Sequence, residues 1–586
     1  MYTEFEIRQV PLTLQRNRQR VEQFLSESQL RLDDVDYYAG VFRVDDDELL
    51  AGGGLKGNVI KCIAVSSNLR EEGLSSRLLS HLISRANSEG HQSVKLFTKP
   101  SNLALFQSLG FRLLAEAPQA ILMETGTAGL QAYERYLRSL ASPVPPIQSV
   151  AVLSQQHVGV IVMNANPFSL GHRFLIEQAA AQVSHLFIIC VREDCSAFSY
   201  ADRLAMLRAG TSDLPNVSVV EGSDYAISAA TFPTYFLKQL SDASDTQMTL
   251  DLTLFARHIA PALNAGVRFV GSEPTDALTR RYNELMHELL PRQGIQVVEV
   301  ARMEREGCPV SASTVRSLLE GGALHQASAL VPATTRPFLM AQLATRALRL
   351  ELATTPKPGL VDRHDSGAHR DMDYTMMERS IVALHPYFVQ LANLELVASS
   401  PMVSSLQAIG LEAENSMFAA TGGVNTHKGA LFSMGLTIAA ATMGTANLQS
   451  NIIALANQFP AAHGTHGTDV ATRYGIKGAL ANAQEGYRQL FADWLPYYHS
   501  IRGEEHALHK TLLRIMATLD DTNIYHRTDR PTAQWVKQQA AEALKDFSVA
   551  RLQSMNAEFV RRNISPGGSA DMLALTLFIE SITVIN

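Results

Sequence analysis

Three groups of polar residues in this chain have types and spacings that could do chemistry. The first is Asn164-Ala165-Asn166-Pro167-Phe168-Ser169-Leu170-Gly171-His172, which leaves the apolar run Gly159 to Met163 and enters a helical periodicity at Leu170. A helix N-terminus with free N–H groups, a glycine at position 171 that lets a ligand approach the backbone, and the imidazole of His172 suit a phosphate. The hydroxyl of Ser169 can hydrogen-bond a phosphate oxygen as well. The second group, Val310-Ser311-Ala312-Ser313-Thr314-Val315-Arg316, sets hydroxyls and an arginine at the start of a helix expected over Thr314 to Glu320 and ended by Gly321-Gly322.

The third group lies in the breaks between helices of the last part of the chain. Thr355-Pro356-Lys357-Pro358-Gly359-Leu360-Val361-Asp362 leads into a loop crowded with His364, Asp365, His369, Asp371 and Asp373. Three glycine-containing stretches each open a helix: Gly422 to Gly429 (GGVNTHKG), His463 to Asp469 (HGTHGTD) and Ser565 to Asp571 (SPGGSAD). Asn425 and Ser569 read as caps. Lys428 falls in a first turn, where the helix dipole disfavours a cation unless an anion is close. The expectation is that these helix ends converge on phosphates and metal, while His364, His427 and His466 read equally as satisfied structural donors.

The first two groups together resemble the HxGH nucleotidyltransferases, with Pro167, Gly171 and His172 matching the first family motif and Ser311, Ser313 and Arg316 the second. Ser169 stands where many members carry another histidine. The resemblance implies adenylyl transfer, in which an oxyanion attacks the α-phosphate of ATP. The protein then contributes position and positive charge from His172, Arg316 and a helix N-terminus, and Mg²⁺ carries the leaving pyrophosphate. Arg192 follows an expected strand, His185 to Val191, and reads equally as a triphosphate contact or a solvated loop arginine.

The elements that must position these groups follow from pattern. The chain has 586 residues, 46% hydrophobic and 18% charged, enough for about three domains. Its net charge of -7 argues against a nucleic-acid surface. Four scattered cysteines make neither a disulfide framework nor a zinc site, and no run reaches the roughly 18 apolar residues of a membrane helix, so a cytoplasmic setting without membrane contact is expected. Residues 1–140 show alternating strands at Asp36 to Val44, Glu48 to Leu55 and Asn58 to Val65, then Arg70, Gly73 and Ser75 ahead of Leu78, Leu79 and Leu82 at helical spacing. Arg70 and Gly73, with Asn102 to Phe111 (NLALFQSLGF), resemble the acyl-CoA N-acetyltransferase family, whose loop wraps a coenzyme A pyrophosphate; Ser75 replaces the usual Gly or Ala. No general base stands out there, and the domain reads as a holder of a pantetheine-bearing group. A proline-rich linker, Ser142 to Gln148, precedes a middle domain over residues 145–330. Its strands at Gly159 to Met163, His185 to Val191, Val217 to Glu221 and Val267 to Val270 alternate with helices, so a doubly wound parallel sheet is expected. Residues 335–586 carry only helical patterns, among them Leu339, Leu343, Ala347 and Leu350 on one face, and helices over Ser433 to Met443, Ala471 to Ala483 and Leu573 to Ile582.

The front and middle parts together resemble the citrate lyase ligase family, also through Gly271 to Thr275 and Thr279 to Asn283. That resemblance implies that acetate and ATP give acetyl-AMP, whose acetyl group passes to the thiol of the prosthetic group on the citrate lyase acyl carrier subunit. The last part resembles the triphosphoribosyl-dephospho-CoA synthase family through TPKPGLVD, GGVNTHKGALF, HGTHGTD and SPGGSADMLA, in that order. This implies joining of ATP to dephospho-CoA with loss of adenine, which needs a carboxylate at the nucleophile, an acid for adenine, and Mg²⁺ with Lys428 on the triphosphate. The resemblance would set Gly423, Asn425, His427 and Gly568 on the nucleotide, with Asp362, Asp365 and Asp469 as metal ligands or base, and leaves open which carboxylate does which. Two other readings compete: an adenylyltransferase that makes a dinucleotide, and a non-catalytic protein that binds the acyl carrier subunit.

Overall fold

Apolar alternation builds the front strands where the sequence places them. The computed structural model describes residues 5–66, 73–126, 128–141, 157–192, 196–225, 243–274, 276–305, 307–394, 402–460 and 466–583. Strands β1 (Phe5–Gln9), β2 (Tyr37–Arg43), β3 (Leu49–Lys56), β4 (Val59–Val65), β5 (Ser93–Thr98), β6 (Arg112–Glu116) and β7 (Ile121–Gly126) make one sheet in the order β1-β2-β3-β4-β5-β7-β6. Neighbours are antiparallel except β4 and β5, which run parallel and pair through Val59↔Lys95 and Ile60↔Leu96 before parting. Helices α1 (Gln15–Glu27), α2 (Leu74–Ser88), α3 (Leu103–Ser108) and α4 (Leu130–Ala141) complete this part. The expected helix over Asn102 to Phe111 is shorter, and its purpose is packing: Phe106 meets Phe111 edge to face at 5.8 Å.

The middle sheet is parallel throughout, with β8 (Val158–Met163), β9 (His185–Cys190), β10 (Val217–Glu221), β11 (Ala265–Gly271) and β12 (Gln296–Val300) in the order β10-β9-β8-β11-β12. Sequence order reverses at β8, so the carboxyl end of that strand is where such a sheet opens a crevice. Around it lie α5 (Leu170–Ala180), α6 (Tyr200–Gly210), α7 (Ala243–Leu254), which passes through a π-helical turn (Phe255–Ile259) into α8 (Ala260–Ala262), and α9 (Ala277–Leu289).

By contact the chain divides into two compact units, Met1–Ala165 with Gly171–Pro309, and Asn166–Leu170 with Val310–Asn586. The first unit therefore holds both sheets. They are joined by Lys95, whose Nζ donates to the Asp224 carboxylate at 2.6 Å, by the Arg257–Glu116 ion pair at 2.6 Å, and by the Tyr133 hydroxyl on the Glu221 carbonyl at 3.0 Å. The linker expected at Ser142 to Gln148 lies outside the described residues.

The second unit is helical: α10 (Ala312–Glu320), α11 (Leu324–Ser328), α12 (Arg336–Ala353), α13 (Tyr374–Ala392), α14 (Met402–Thr421), α15 (Lys428–Thr442), α16 (Leu448–Ala456), α17 (His466–Tyr474), α18 (Ala479–Gln484), α19 (Leu495–Ile501), α20 (Ala507–Thr518), α21 (Thr522–Arg527), α22 (Arg530–Lys545), α23 (Val549–Arg561) and α24 (Gly567–Ile582). Arg346 of α12 donates to the carbonyls of Leu319 and Glu320 at 3.0 and 3.2 Å, capping α10 with a cation where the dipole favours one. Leu339, Leu343 and Ala347 are buried as their spacing requires, but Leu350 is 39% exposed and Glu351 takes the inward place. The helix expected over Ala471 to Ala483 is two, because Gly475 adopts φ +62 and ends α17. Among the described residues no helix is long and apolar enough to cross a membrane.

Candidate active sites

At the carboxyl end of β8 the backbone is fixed by a buried cation. Arg203 of α6 donates from Nη1 to the Asn164 carbonyl at 3.0 Å, to Asn164 Oδ1 at 2.5 Å and to the Val191 carbonyl at 2.7 Å, tying the ends of β8 and β9 together. The next residue, Ala165, sits at φ +49, a left-handed conformation that costs a non-glycine residue about 1–2 kcal/mol. Gly171 and His172 lie in the first turn of α5. The pKa of His172 is lowered to about 4, by burial first and then by the charge of Arg302. Desolvation beside a guanidinium thus disfavours the imidazolium and favours a neutral ring at pH 7. His172 can still donate an N–H. Arg302 is held by the Ser272 carbonyl at 2.6 Å and by an ion pair with Glu273, which gives the Gly271 to Pro274 stretch its place in the site. Arg192, exposed after β9, lies over the Tyr200 ring with Cζ 5.5 Å from its centroid.

Within the second unit the Asn166–Leu170 loop of the first motif meets the second motif. Nη1 of Arg316 donates to the Asn166 carbonyl at 2.6 Å across 150 positions, and the N–H of Leu170 donates to the Leu330 carbonyl at 2.9 Å. Ser311 is the N-cap of α10: its Oγ accepts from the Thr314 N–H at 3.1 Å and lies 2.8 Å from Ser313 Oγ. The helix thus begins at Ala312, earlier than expected, with Ser313 exposed in its first turn and Ser169 buried in the facing loop.

In the front sheet, Gly73 at φ +71 leads into α2 and Ser75 occupies its first turn, close in sequence to the parting of β4 from β5; Arg70 lies outside the described residues.

The helical unit carries a different polar cluster from the one expected. Asp362 is buried, and its carboxylate accepts from three backbone N–H groups: Lys357 at 3.0 Å, His364 at 2.8 Å and Asp365 at 3.0 Å. Asp365 accepts from the Gly367 N–H at 2.9 Å and from the Asn556 amide. Both carboxylates order their own loop through these bonds, and Asp365 ties it to α23 through Asn556. Asp469 is exposed in the first turn of α17, with no ion pair among the described residues, and His463 to Thr465 lie outside them. Gly423 ends α14, its N–H donating to the Phe418 carbonyl at 2.8 Å. Asn425 accepts from the Lys428 N–H at 3.2 Å as a cap, and the anion that Lys428 requires is Glu414, 2.6 Å from its Nζ. Gly568 and Ser569 open α24, but their N–H groups already donate to Asp521, at 3.2 and 2.7 Å. The anions expected at these two helix starts are thus, in the structure, side chains of the protein.

Deeper in the same unit, Glu351 and Lys357 form a buried ion pair. His427 is buried beside them, with Nδ1 2.8 Å from the Ser380 hydroxyl and Nε2 without a partner. Its pKa is lowered to about 3 by burial and by Lys357. Asp571 is pushed well above the usual carboxylate range by burial and by the charges of Asp521 and Glu351. A Cβ at position 429 would stand 2.1 Å from Asp571 Oδ2, so only glycine lets α15 approach this carboxylate. Glu351 and Asp521 lie outside the sequence motifs, and Asp571 closes one of them with no role assigned to it; the cue available was a carboxylate inside each of two apolar helical patterns. Among the described residues no three His, Cys, Asp or Glu side chains are arranged to enclose a metal ion. A Mg²⁺ here would fit only as an ion carried on phosphates with one or two carboxylates, the usual habit of that cation.

Two outcomes test these assignments. Lys357→Met strands Glu351 in the interior and is expected to lower stability by about 3 kcal/mol, whereas Glu351→Met with Lys357→Met returns most of it; urea melts of both variants decide. For His427 the folded pKa lies below the unfolded value near 6.5, so stability is full above pH 6.5 and falls as the pH drops towards 3. At pH 5 the expected loss is about 2 kcal/mol, and His427→Gln should show a correspondingly flatter dependence of melting on pH.

Comparison with known proteins places each part. Residues 6–111 match the acetyltransferase (GNAT) family, 158–339 the citrate lyase ligase C-terminal domain, and 337–586 the ATP:dephospho-CoA triphosphoribosyl transferase family. The [citrate [pro-3S]-lyase] ligase of Klebsiella pneumoniae is 44% identical over 56% of this chain and 93% of its own length, and that of Escherichia coli 40% identical over 54% and 89%. A probable 2-(5''-triphosphoribosyl)-3'-dephosphocoenzyme-A synthase of Salmonella gallinarum is 36% identical over 41% of this chain and 89% of its own length. An acetyltransferase-like sheet, a nucleotidyltransferase-like parallel sheet and a helical body define a bifunctional enzyme, a ligase fused to a transferase. The chain belongs to the citrate lyase ligase family over its front and middle parts and to the triphosphoribosyl-dephospho-CoA synthase family over the remainder.

Proposed function

We propose that this chain carries two steps of citrate lyase activation. In the ligase part an acetate oxygen attacks the α-phosphate of ATP, pyrophosphate leaves, and acetyl-AMP forms. The thiol of the acyl carrier prosthetic group then attacks the acetyl carbonyl and AMP leaves. His172 acts as a neutral donor to the phosphate, with Gly171, Asn166, Ser169, Ser311, Ser313 and Arg316 as the motif residues that hold the nucleotide, and Arg192 on the triphosphate. The front sheet, through Arg70, Gly73 and Ser75, grips the pantetheine and pyrophosphate of the prosthetic group. In the helical part a ribose hydroxyl of dephospho-CoA attacks C1′ of ATP as the bond to adenine breaks. The raised pKa of Asp571 suits it to protonate the departing adenine, Gly429 of α15 leaves room for that carboxylate, and Lys428 in the same turn would meet the triphosphate. Mg²⁺, when bound with the nucleotides, neutralises their phosphates.

The single observation that most supports the ligase half is the Arg316 bond to the Asn166 carbonyl, which joins the two motifs the chemistry requires. The test is incubation of the full chain with ATP, Mg²⁺ and acetate, then with the thiol form of the carrier. Acetate-dependent pyrophosphate and AMP, with acetyl thioester on the carrier, support the reading; AMP formed without acetate, or a dinucleotide product, overturns it.

A further inference from the structure

A cavity of about 310 Å³ lies on the middle sheet, with Met163, Val191 and Gly222 at its rim, where β8, β9 and β10 end. Most of its wall is hydrocarbon, from Val162, Ile189, Phe255 and Ile259. Into this wall β11 sets an arginine. Arg268 is 5% exposed, and its Nε and Nη1 have no hydrogen-bond partner. The guanidinium lies over the Phe255 ring, Cζ 4.6 Å from the centroid, and Phe255 is placed there by the π-helical turn, a rare feature common at functional sites. Asp251 attracts it through space, and the Tyr282 hydroxyl bonds that carboxylate.

A desolvated guanidinium with two unsatisfied nitrogens is costly, and a methionine would pack here at less expense. The arginine is explained if an anion completes its hydrogen bonds. A guanidinium with two open donors in a largely apolar cavity suits a small, singly charged anion on an apolar body, and the Asp251 carboxylate on the same wall opposes the second charge of a phosphate dianion. The geometry points to Arg268 as the anchor of a short monocarboxylate, which makes this cavity the acid-binding subsite of the ligase half. The inference rests on the reading that this half activates a carboxylic acid. The cavity is roomier than acetate needs, so acids with longer apolar tails also enter.

The test measures the KM for acetate and for ATP in pyrophosphate release by the full chain, alongside broadening of the ¹³C-acetate signal without ATP. Arg268→Met should raise the acetate KM at least tenfold and leave the ATP KM within twofold, while adenine release by the helical half, unchanged, reports a folded chain. Arg268→Lys should fall between. Should Arg268→Met fail to fold, Val162→Phe fills the cavity and should raise the acetate KM in the same way. An acetate KM unchanged in the folded variants overturns the subsite. If the unaltered chain activates no acid, the proposed ligase reaction fails. The subsite is then judged by binding alone: acetate broadening lost in Arg268→Met sustains it, and no broadening in the unaltered chain ends it.

Discussion

His172→Ala is expected to lower acetate-dependent pyrophosphate release by about 10²–10³-fold while leaving adenine release by the same chain intact. The magnitude is that of removing one preorganised donor from a site of developing phosphate charge. The direction of the pH dependence separates this account from one built on an imidazolium. With its pKa lowered to about 4, His172 is neutral from pH 5 upward, so the rate should show no inflection near 6.5 and should decline only towards pH 4. A donor role also predicts that His172→Gln retains part of the activity that His172→Ala loses. Rates that fall steadily above pH 6.5 would assign the histidine a charge, contrary to the effect of Arg302 beside it.

Asp571→Asn should reduce adenine release by about 10³-fold and leave pyrophosphate release untouched. An asparagine fills the same space but cannot give up a proton to adenine. The pH profile carries the diagnosis: the decline on the alkaline side, where the unaltered Asp571 loses its proton, should vanish in the variant. Gly429→Ala probes the same carboxylate from the opposite helix. Its new methyl would stand 2.1 Å from Asp571 Oδ2, so the acid must move, and adenine release should fall even though no chemical group has been removed.

The sequence made much of this legible for a physical reason. The central strands β8 and β9 are largely buried and announce themselves as continuous apolar runs, whereas the half-exposed edge strand β12 does not, and short motifs such as Asn164 to His172 combine a strand end, a turn and a helix start in one stretch. Residues 310–330 were readable as a motif but not as neighbours of α12, because Arg346 capping α10 is a pairing between distant positions. The carboxylates of the helical part also have a local role that their density does not announce. A loop dense in aspartates looks like a cation site, yet Asp362 and Asp365 bond the N–H groups of their own loop, as short polar side chains in turns often do. The partner of Lys428, Glu414, comes from another helix and is equally silent in the sequence. The buried charges, Arg203, Arg268 and the Glu351–Lys357 pair, and the half-buried Arg302 carry no periodic signature; each sits at a position where pattern alone expects an apolar or a solvated residue.

The central claim is that one chain both makes the prosthetic-group precursor and acetylates the finished group. The most direct test is chromatography of the full chain incubated with ATP, Mg²⁺ and dephospho-CoA, with mass measurement of the coenzyme peak. The account predicts free adenine and a triphosphoribosyl adduct of dephospho-CoA in equal amounts, lost together in Asp571→Asn and unaffected by His172→Ala. Intact ATP, or adenine without the adduct, in a preparation that releases pyrophosphate with acetate would contradict it.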